Sequence, residues 1–238
     1  MITRDIEYSV GGVRYVGTFV ADDDVAGKRP GVLVAPEGGG LVDLTRSIAR
    51  RLAEAGYAAF AMDYYGNGKA LTDMSEVMTR LGPWMADPAG IRAIATAALE
   101  VLTAQPQTAA DRLAAIGYCF GGTTALELGR AGAPLAAIVG FHSGLGTARP
   151  KDAAAIKAKV LVQIGADDPI IPSEQRAAFE QEMNDGGVDW RMTLYGGVGH
   201  SFTNPNSGAL GRPGFAYDAM ADRRSWAAMM DLFGEVFG

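Results

Sequence analysis

Two extended segments open the chain, about Ile2–Val10 and Arg14–Ala21. Gly11-Gly12 between them is a hairpin signal. Val32–Ala35 is a short apolar run, the pattern of a strand buried on both faces. Helical spacing follows over Leu44–Ala55, with Asp43 placed to cap it and Gly56 to end it. Tyr57–Met62 reads as the next buried strand, and Asp63–Lys69 as a loop. Leu71–Arg80 reads as a helix that Gly82-Pro83 breaks. Asp87-Pro88 then supplies a cap and an N1 proline to a long helix, Ala89–Thr103. The alternation repeats. Leu113–Gly117, Ala136–Phe141, Val160–Gly165 and Asp189–Tyr195 read as strands. Phe120–Arg130, Ser173–Asn184 (with a Ser cap) and Tyr217–Phe233 read as helices. Strands alternating with helices predict an α/β fold: a mostly parallel sheet covered on both faces, entered by an antiparallel hairpin. Neither a linker nor a repeat stands out, so residues 1–238 are expected to form a single domain.

Composition narrows the chemistry through its scarce residues. The 238 residues include one Cys and two His. One Cys makes no internal disulfide, redox pair or zinc-thiolate cluster, and two His exclude a three-histidine zinc site. Neither a metal nor another cofactor is expected. The formal charge of −6, with no Lys/Arg run longer than two, argues against a nucleic-acid partner. Apolar stretches fall far short of the ~20 residues of a membrane span, and the N-terminus turns polar at once. A cytoplasmic protein, monomeric or homodimeric, is the expectation. Glycine is abundant at 32 residues, which suits the many strand-to-helix turns.

The single Cys stands in Gly117-Tyr118-Cys119-Phe120-Gly121-Gly122, between a strand pattern and a helix pattern. This is a G-x-S-x-G nucleophile elbow with Cys in place of Ser. A tight turn there excludes side chains at both flanking Gly positions. It sets the sulfur at a helix N-terminus and aims the Phe120 N–H at a developing oxyanion. Downstream, the strand ending at Gly165 runs into Ala166-Asp167-Asp168-Pro169, placing a carboxylate on the active-site edge of the sheet. The aspartate that does not serve as the acid is expected to fill a turn or capping role. His200 follows the next strand in Gly199-His200-Ser201-Phe202. The order nucleophile, acid, histidine makes His200 the expected base. His142 also follows a strand, but precedes both aspartates, and is expected to be a pocket residue.

These segments, with Pro36-Glu37-Gly38-Gly39-Gly40 after the first buried strand, resemble the dienelactone hydrolase family of α/β-hydrolases over about Gly31 to Phe237. The resemblance implies the α/β-hydrolase fold and a Cys119-His200-Asp168 triad, with Asp167 as the turn residue. It implies that Glu37 takes the thiol proton and that the Gly38 N–H completes the oxyanion hole beside Phe120. Dienelactone-cleaving members carry an Arg four residues after the His, where it binds the substrate carboxylate. Here that position is Asn204, which donates a hydrogen bond but no charge. The expected activity is therefore hydrolysis of a small-molecule ester or lactone through a thioester acyl-enzyme. Activated esters or enol lactones are preferred, because a thiolate leaves more easily than an alkoxide.

A thioesterase on the same triad is the rival within the class. A non-hydrolytic binding protein, or a lyase or isomerase using His200 and Glu37, are rivals outside it. Leu71–Pro88 and Thr203–Gly214 are expected to line the pocket, with Trp84 as a substrate-binding residue. Met74, Met78, Leu81, Met85, Phe215 and Tyr217 are further lining candidates, and Arg80 or Arg212 the cations that could reach a substrate carboxylate.

Overall fold

A computed structural model describes residues 1–23 and 26–238. Eight strands form one sheet: β1 (Ile2–Val10), β2 (Val13–Ala21), β3 (Arg29–Ala35), β4 (Ala58–Ala61), β5 (Thr108–Tyr118), β6 (Ala137–Phe141), β7 (Lys159–Gly165) and β8 (Trp190–Tyr195). Their spatial order is β1-β2-β4-β3-β5-β6-β7-β8. The β1–β2 hairpin and the β2–β4 pair are antiparallel, and every pair from β4 to β8 is parallel. This is the mostly parallel sheet with an antiparallel entry hairpin that the hydrophobic pattern predicts, in the α/β-hydrolase arrangement that the resemblance implies.

The period of two along the central strands explains the layering. Leu33, Ala35, Leu113 and Ala115 face one side, where they pack under α2 (Met74–Ala86), α3 (Ala89–Thr103), α4 (Phe120–Arg130) and α5 (Ser173–Asp185). Val32, Val34, Ala114 and Ile116 face the other, under α1 (Asp43–Glu54) and α6 (Ala219–Phe237). Both faces are dry, which is why these strands read as unbroken apolar runs.

Several boundaries differ from the sequence reading. Strand β5 starts five residues earlier than Leu113. Thr108 and Ala109 pair with Arg29 and Pro30, and the register then shifts before Leu113 meets Gly31. Asp43 and Ser173 do not cap their helices; each is the first helical residue, and Val42 and Pro172 hold the cap positions without a side-chain bond. Pro88 is likewise the cap residue of α3 rather than its first turn, while the Asp87 carboxylate accepts the Ala89 N–H at 3.2 Å.

Helix α2 is the main correction. It begins at Met74 under an Asp73 carboxylate that accepts the Ser75 and Glu76 N–H groups, and it runs through Pro83 to Ala86. Gly82 precedes the proline and carries no Cβ, so it escapes part of the clash that ends most helices there. Trp84 then anchors the last turn by stacking on Tyr65 and Phe120.

Candidate active site

The C-terminal ends of β3, β5, β6, β7 and β8 meet on one edge of the sheet, and the chain delivers Glu37, Cys119, His142, Asp168 and His200 just beyond them. Cys119 occupies the left-handed region, φ 53° and ψ −120°, between β5 and α4. The two flanking glycines are a steric necessity. A Cβ on Gly117 would lie 2.0 Å from the Gly121 carbonyl carbon, and one on Gly121 would lie 2.1 Å from the Ala35 carbonyl oxygen. The turn is held by backbone bonds, Cys119 N–H to Phe141 O at 3.0 Å and Gly122 N–H to Cys119 O at 3.1 Å. The thiol stays partly exposed.

His200 is buried, and its Nδ1 bonds the Asp168 carboxylate at 2.7 Å. The other Asp168 oxygen accepts the Ile170 N–H at 2.8 Å. The turn role expected of Asp167 therefore falls to Asp168 as well, and Asp167 is exposed. The His200 N–H donates to Gly214 O at 2.7 Å, and Phe215 packs edge-on against the imidazole with centroids 4.9 Å apart. Nε2 is buried without a hydrogen-bond partner. Burial opposes a charge on this ring, but Asp168 and the Cys119 sulfur together outweigh it and raise the pKa to about 10.

Glu37 is tied to the histidine loop. Its carboxylate accepts the Asn204 amide at 2.8 Å and the Ser201 hydroxyl at 3.4 Å. Asn204 also accepts the Asn206 N–H at 2.9 Å, so both ends of its amide are engaged. Burial raises the Glu37 pKa against the lowering effects of Asn204, His200 and Ser201. A raised carboxyl pKa means that the folded state holds a proton that the unfolded chain has lost above pH 4.5. That contribution to stability is present at low pH and is lost as pH rises through the folded value. Glu37→Gln removes the titration, so its thermal midpoint is expected to gain on the parent's as pH rises from 4.5 towards 8. A constant difference across that range would show that Glu37 does not titrate there.

The backbone beside Glu37 is fixed by two tyrosines. Tyr65 OH donates to Gly38 O at 2.5 Å, and Tyr64 OH to Pro36 O at 2.9 Å. The loop that presents them is organised by buried Asp63, whose carboxylate accepts the N–H groups of Val16, Tyr65, Gly66 and Gly68. Gly38 is buried against Leu81 and Val77.

His142 is fully buried, with Nε2 and Thr203 Oγ1 2.8 Å apart and Nδ1 unpartnered. Its ring meets His200 edge-on at 5.1 Å, and burial together with the His200 charge holds its pKa well below the usual imidazole range. Among the described residues only four non-glycine residues have positive φ, and Cys119, His142 and Ser201 are three of them. Strain is thus concentrated at the site.

The lining candidates divide. Trp84 and Met85 border a cleft beside Phe120. Leu81 is core, whereas Met74, Met78 and Tyr217 are exposed. Phe215 packs on His200, with Arg212 4.6 Å over its ring. Arg80 is exposed and acts electrostatically on Tyr65. Ser201, Thr203, Tyr64 and Tyr65 were not singled out from sequence. Ser201 and Thr203 had a signal, since both are polar residues within three positions of the candidate base.

The sequence pattern of the dienelactone hydrolase family matches residues 16–237. The chain belongs to this family. One relative, from Bradyrhizobium sp, is named a probable 2-oxo-3-(5-oxofuran-2-ylidene)propanoate lactonase; it is 28% identical over 77% of this chain and 77% of its own length. Another, from Yersinia pestis, is named as a carboxymethylenebutenolidase and is 28% identical over 89% of this chain and 80% of its own. Among solved structures, a dienelactone hydrolase-like promiscuous phosphotriesterase from metagenomic libraries is 45% identical, covers 100% of this chain and 99% of its own, and superposes with a TM-score of 0.95. As a dienelactone hydrolase family member the chain is an ester-bond hydrolase. Among the described residues no group of three or more His, Cys, Asp or Glu could hold a metal ion, and no helix is long and apolar enough to cross a membrane.

Proposed function

We propose that the chain hydrolyses small carboxylic esters or lactones through Cys119, His200 and Asp168, by way of a thioester. One observation carries this reading: the histidine bonded to Asp168 at 2.7 Å leaves its other nitrogen buried without a hydrogen-bond partner, at the sheet edge to which the elbow also brings Cys119. With a pKa near 10, His200 is protonated at neutral pH, having taken the thiol proton, and Cys119 attacks as the thiolate. The sulfur–carbon bond forms as the carbonyl electron pair moves onto oxygen, where the Phe120 and Gly38 N–H groups receive the charge. The carbon–oxygen bond to the alcohol then breaks, and the alcohol leaves with the His200 proton. Water adds next. His200 takes its proton, the hydroxyl bonds the acyl carbon, the carbon–sulfur bond breaks and the acid departs. Glu37 supports the site by setting the histidine loop through Asn204 and Ser201.

Return of the alcohol to the thioester competes with hydrolysis, because a thiolate is the better leaving group. Enol and phenol esters avoid this, since the released enol becomes a ketone or aldehyde and the phenoxide is a poor nucleophile. An activated ester or enol lactone is therefore the preferred substrate. Asn204 in place of an arginine directs the preference to neutral ones. Intact-mass analysis after a short incubation with an aryl or enol ester is expected to show one acyl group, with peptide mapping placing it on Cys119. An adduct elsewhere, or turnover with unmodified Cys119 under rapid quench, would overturn the nucleophile assignment. Phosphotriester hydrolysis is a second reading, favoured by the 45% identical structure described as a phosphotriesterase. A phosphoryl adduct on Cys119 in the same assay is its signature.

A further inference from the structure

We infer that the cleft walled by Phe120 is a subsite for an uncharged, flat apolar group of the substrate, of one or two aromatic rings. The inference rests on the esterase reading and adds the shape and charge of what the site takes. The cleft measures about 420 Å³ and lies between the end of α2, the start of α3, the elbow and the 144–148 segment. Its position relates it to the reaction: Phe120, whose N–H is assigned to the oxyanion, forms one wall.

The walls are apolar where they are free. Trp84, Met85, Ile91, Phe120 and Ile170 supply the hydrocarbon surface, and Trp84 lies nearly parallel to Phe120, 6.1 Å between centroids and 21° between planes. Met85 and Ile170 are exposed at 47% and 44%, so their hydrocarbon surface is open to a group entering the cleft.

Much of the polar wall is already engaged within the protein. Thr123 Oγ donates to Gly144 O at 2.8 Å, and Gln175 Oε1 accepts the Leu145 N–H at 2.8 Å. Thr147 Oγ1 accepts the Arg149 N–H, and Glu127 is held by Arg92 and Arg130. None of the lining residues is Lys or Arg. A carboxylate placed there would lose its water, gain no cation and face Glu127. A closed apolar cavity of ~150 Å³ holds one benzene ring, so this larger, open cleft has room for about two.

Gly146 makes the test clean. It lies on the cleft wall in ordinary negative-φ backbone, and a Cβ there meets nothing within 4 Å. Gly146→Phe therefore adds a ring at the cleft wall without a backbone clash. Three esters are compared in the whole protein: vinyl acetate, vinyl 2-naphthoate and 2-naphthyl acetate. Gly146→Phe is expected to lower kcat/KM about tenfold or more for at least one naphthyl ester, and to leave vinyl acetate within about twofold. Which naphthyl ester falls tells whether the cleft takes the acyl or the alcohol side. An equal change in all three esters, or in none, overturns the subsite.

Calorimetric binding of methyl 2-naphthyl ketone to Cys119→Ala separates the two levels. Binding that weakens about tenfold on adding Gly146→Phe, or on adding Ile170→Asp at the rim, supports the subsite even if no ester is hydrolysed, in which case only the esterase reading fails. No binding, or equal binding by all variants, overturns the subsite. So does tighter binding of 2-naphthoate than of the ketone.

Discussion

Replacing Cys119 by alanine is expected to lower ester turnover on the order of 10⁴-fold or more, with the fold unchanged. The fold should survive because the turn depends on the Cys119 backbone, not on its sulfur. The bonds to Phe141 and from Gly122 involve main-chain atoms only. Alanine pays the same left-handed conformational cost as cysteine at φ 53°. The thiol is partly exposed, so little buried surface is lost. The activity should not survive, because neither His200 nor Glu37 can form the acyl-enzyme in its place. Steady-state rates on an aryl ester, beside circular dichroism and a thermal midpoint, make the measurement. Full turnover by Cys119→Ala would remove the nucleophile assignment and favour acid–base chemistry by His200 and Glu37. Cys119→Ser is expected to leave a weak enzyme, since an alcohol is far harder to ionise than a thiol.

The largest loss of stability is expected at Arg130, well away from the elbow chemistry. Its side chain is fully buried and makes a two-pronged contact with Glu182 at 2.7 and 2.9 Å, a third bond to Glu127 at 2.9 Å and a fourth to Leu145 O at 3.0 Å. Arg92 continues the chain of alternating charges from Glu127 to Asp152. The five side chains tie α3, α4, α5 and the 150–155 turn together behind the cleft. Arg130→Ala strands the Glu182 carboxylate in the interior and leaves Glu127 to Arg92 alone, and a loss of about 3–5 kcal/mol is expected. For a chain of this size that is on the order of 10 °C in Tm. The pair itself is worth much less than this cost. Burial raises the Glu182 pKa even against the adjacent guanidinium, which shows how heavily desolvation weighs. Arg130→Met combined with Glu182→Leu is therefore expected to recover most of the stability, Glu127 keeping Arg92. Denaturant melts of the single and double variants decide it. A single-variant loss below about 1 kcal/mol would mean that water reaches the stranded carboxylate.

The parts of this molecule that were legible in the sequence are those where one local cause dominates. Val32–Ala35 and Leu113–Gly117 read as strands because both sheet faces are covered, and the elbow read clearly because its glycines face direct backbone collisions. The order of Cys119, Asp168 and His200 follows from the order in which a parallel sheet delivers its strand ends. What was not legible depends on distant partners. Helix α2 passes Pro83 because Trp84 finds Tyr65 and Phe120 to stack on, and no local propensity contains that fact. Asp168 serves both the histidine and the turn, a double role that no local pattern distinguishes from one aspartate for each. Asn204 was noticed for the charge it lacks, whereas the structure shows its amide engaged by Glu37, 167 residues away in the chain.

That separation has a consequence for how the molecule reaches its working state. The residues gathered at the sheet edge come from β3 near the start of the chain and from the loop after β8 near its end. Closing contacts of such sequence separation is slow, because the chain entropy is lost before the contact rewards it. A folding intermediate with the central strands paired but β8 undocked would own the elbow and its thiol and still lack His200. Recovered hydrolysis is thus a late signal in refolding, following the appearance of secondary structure and reporting that the final strand has joined the sheet.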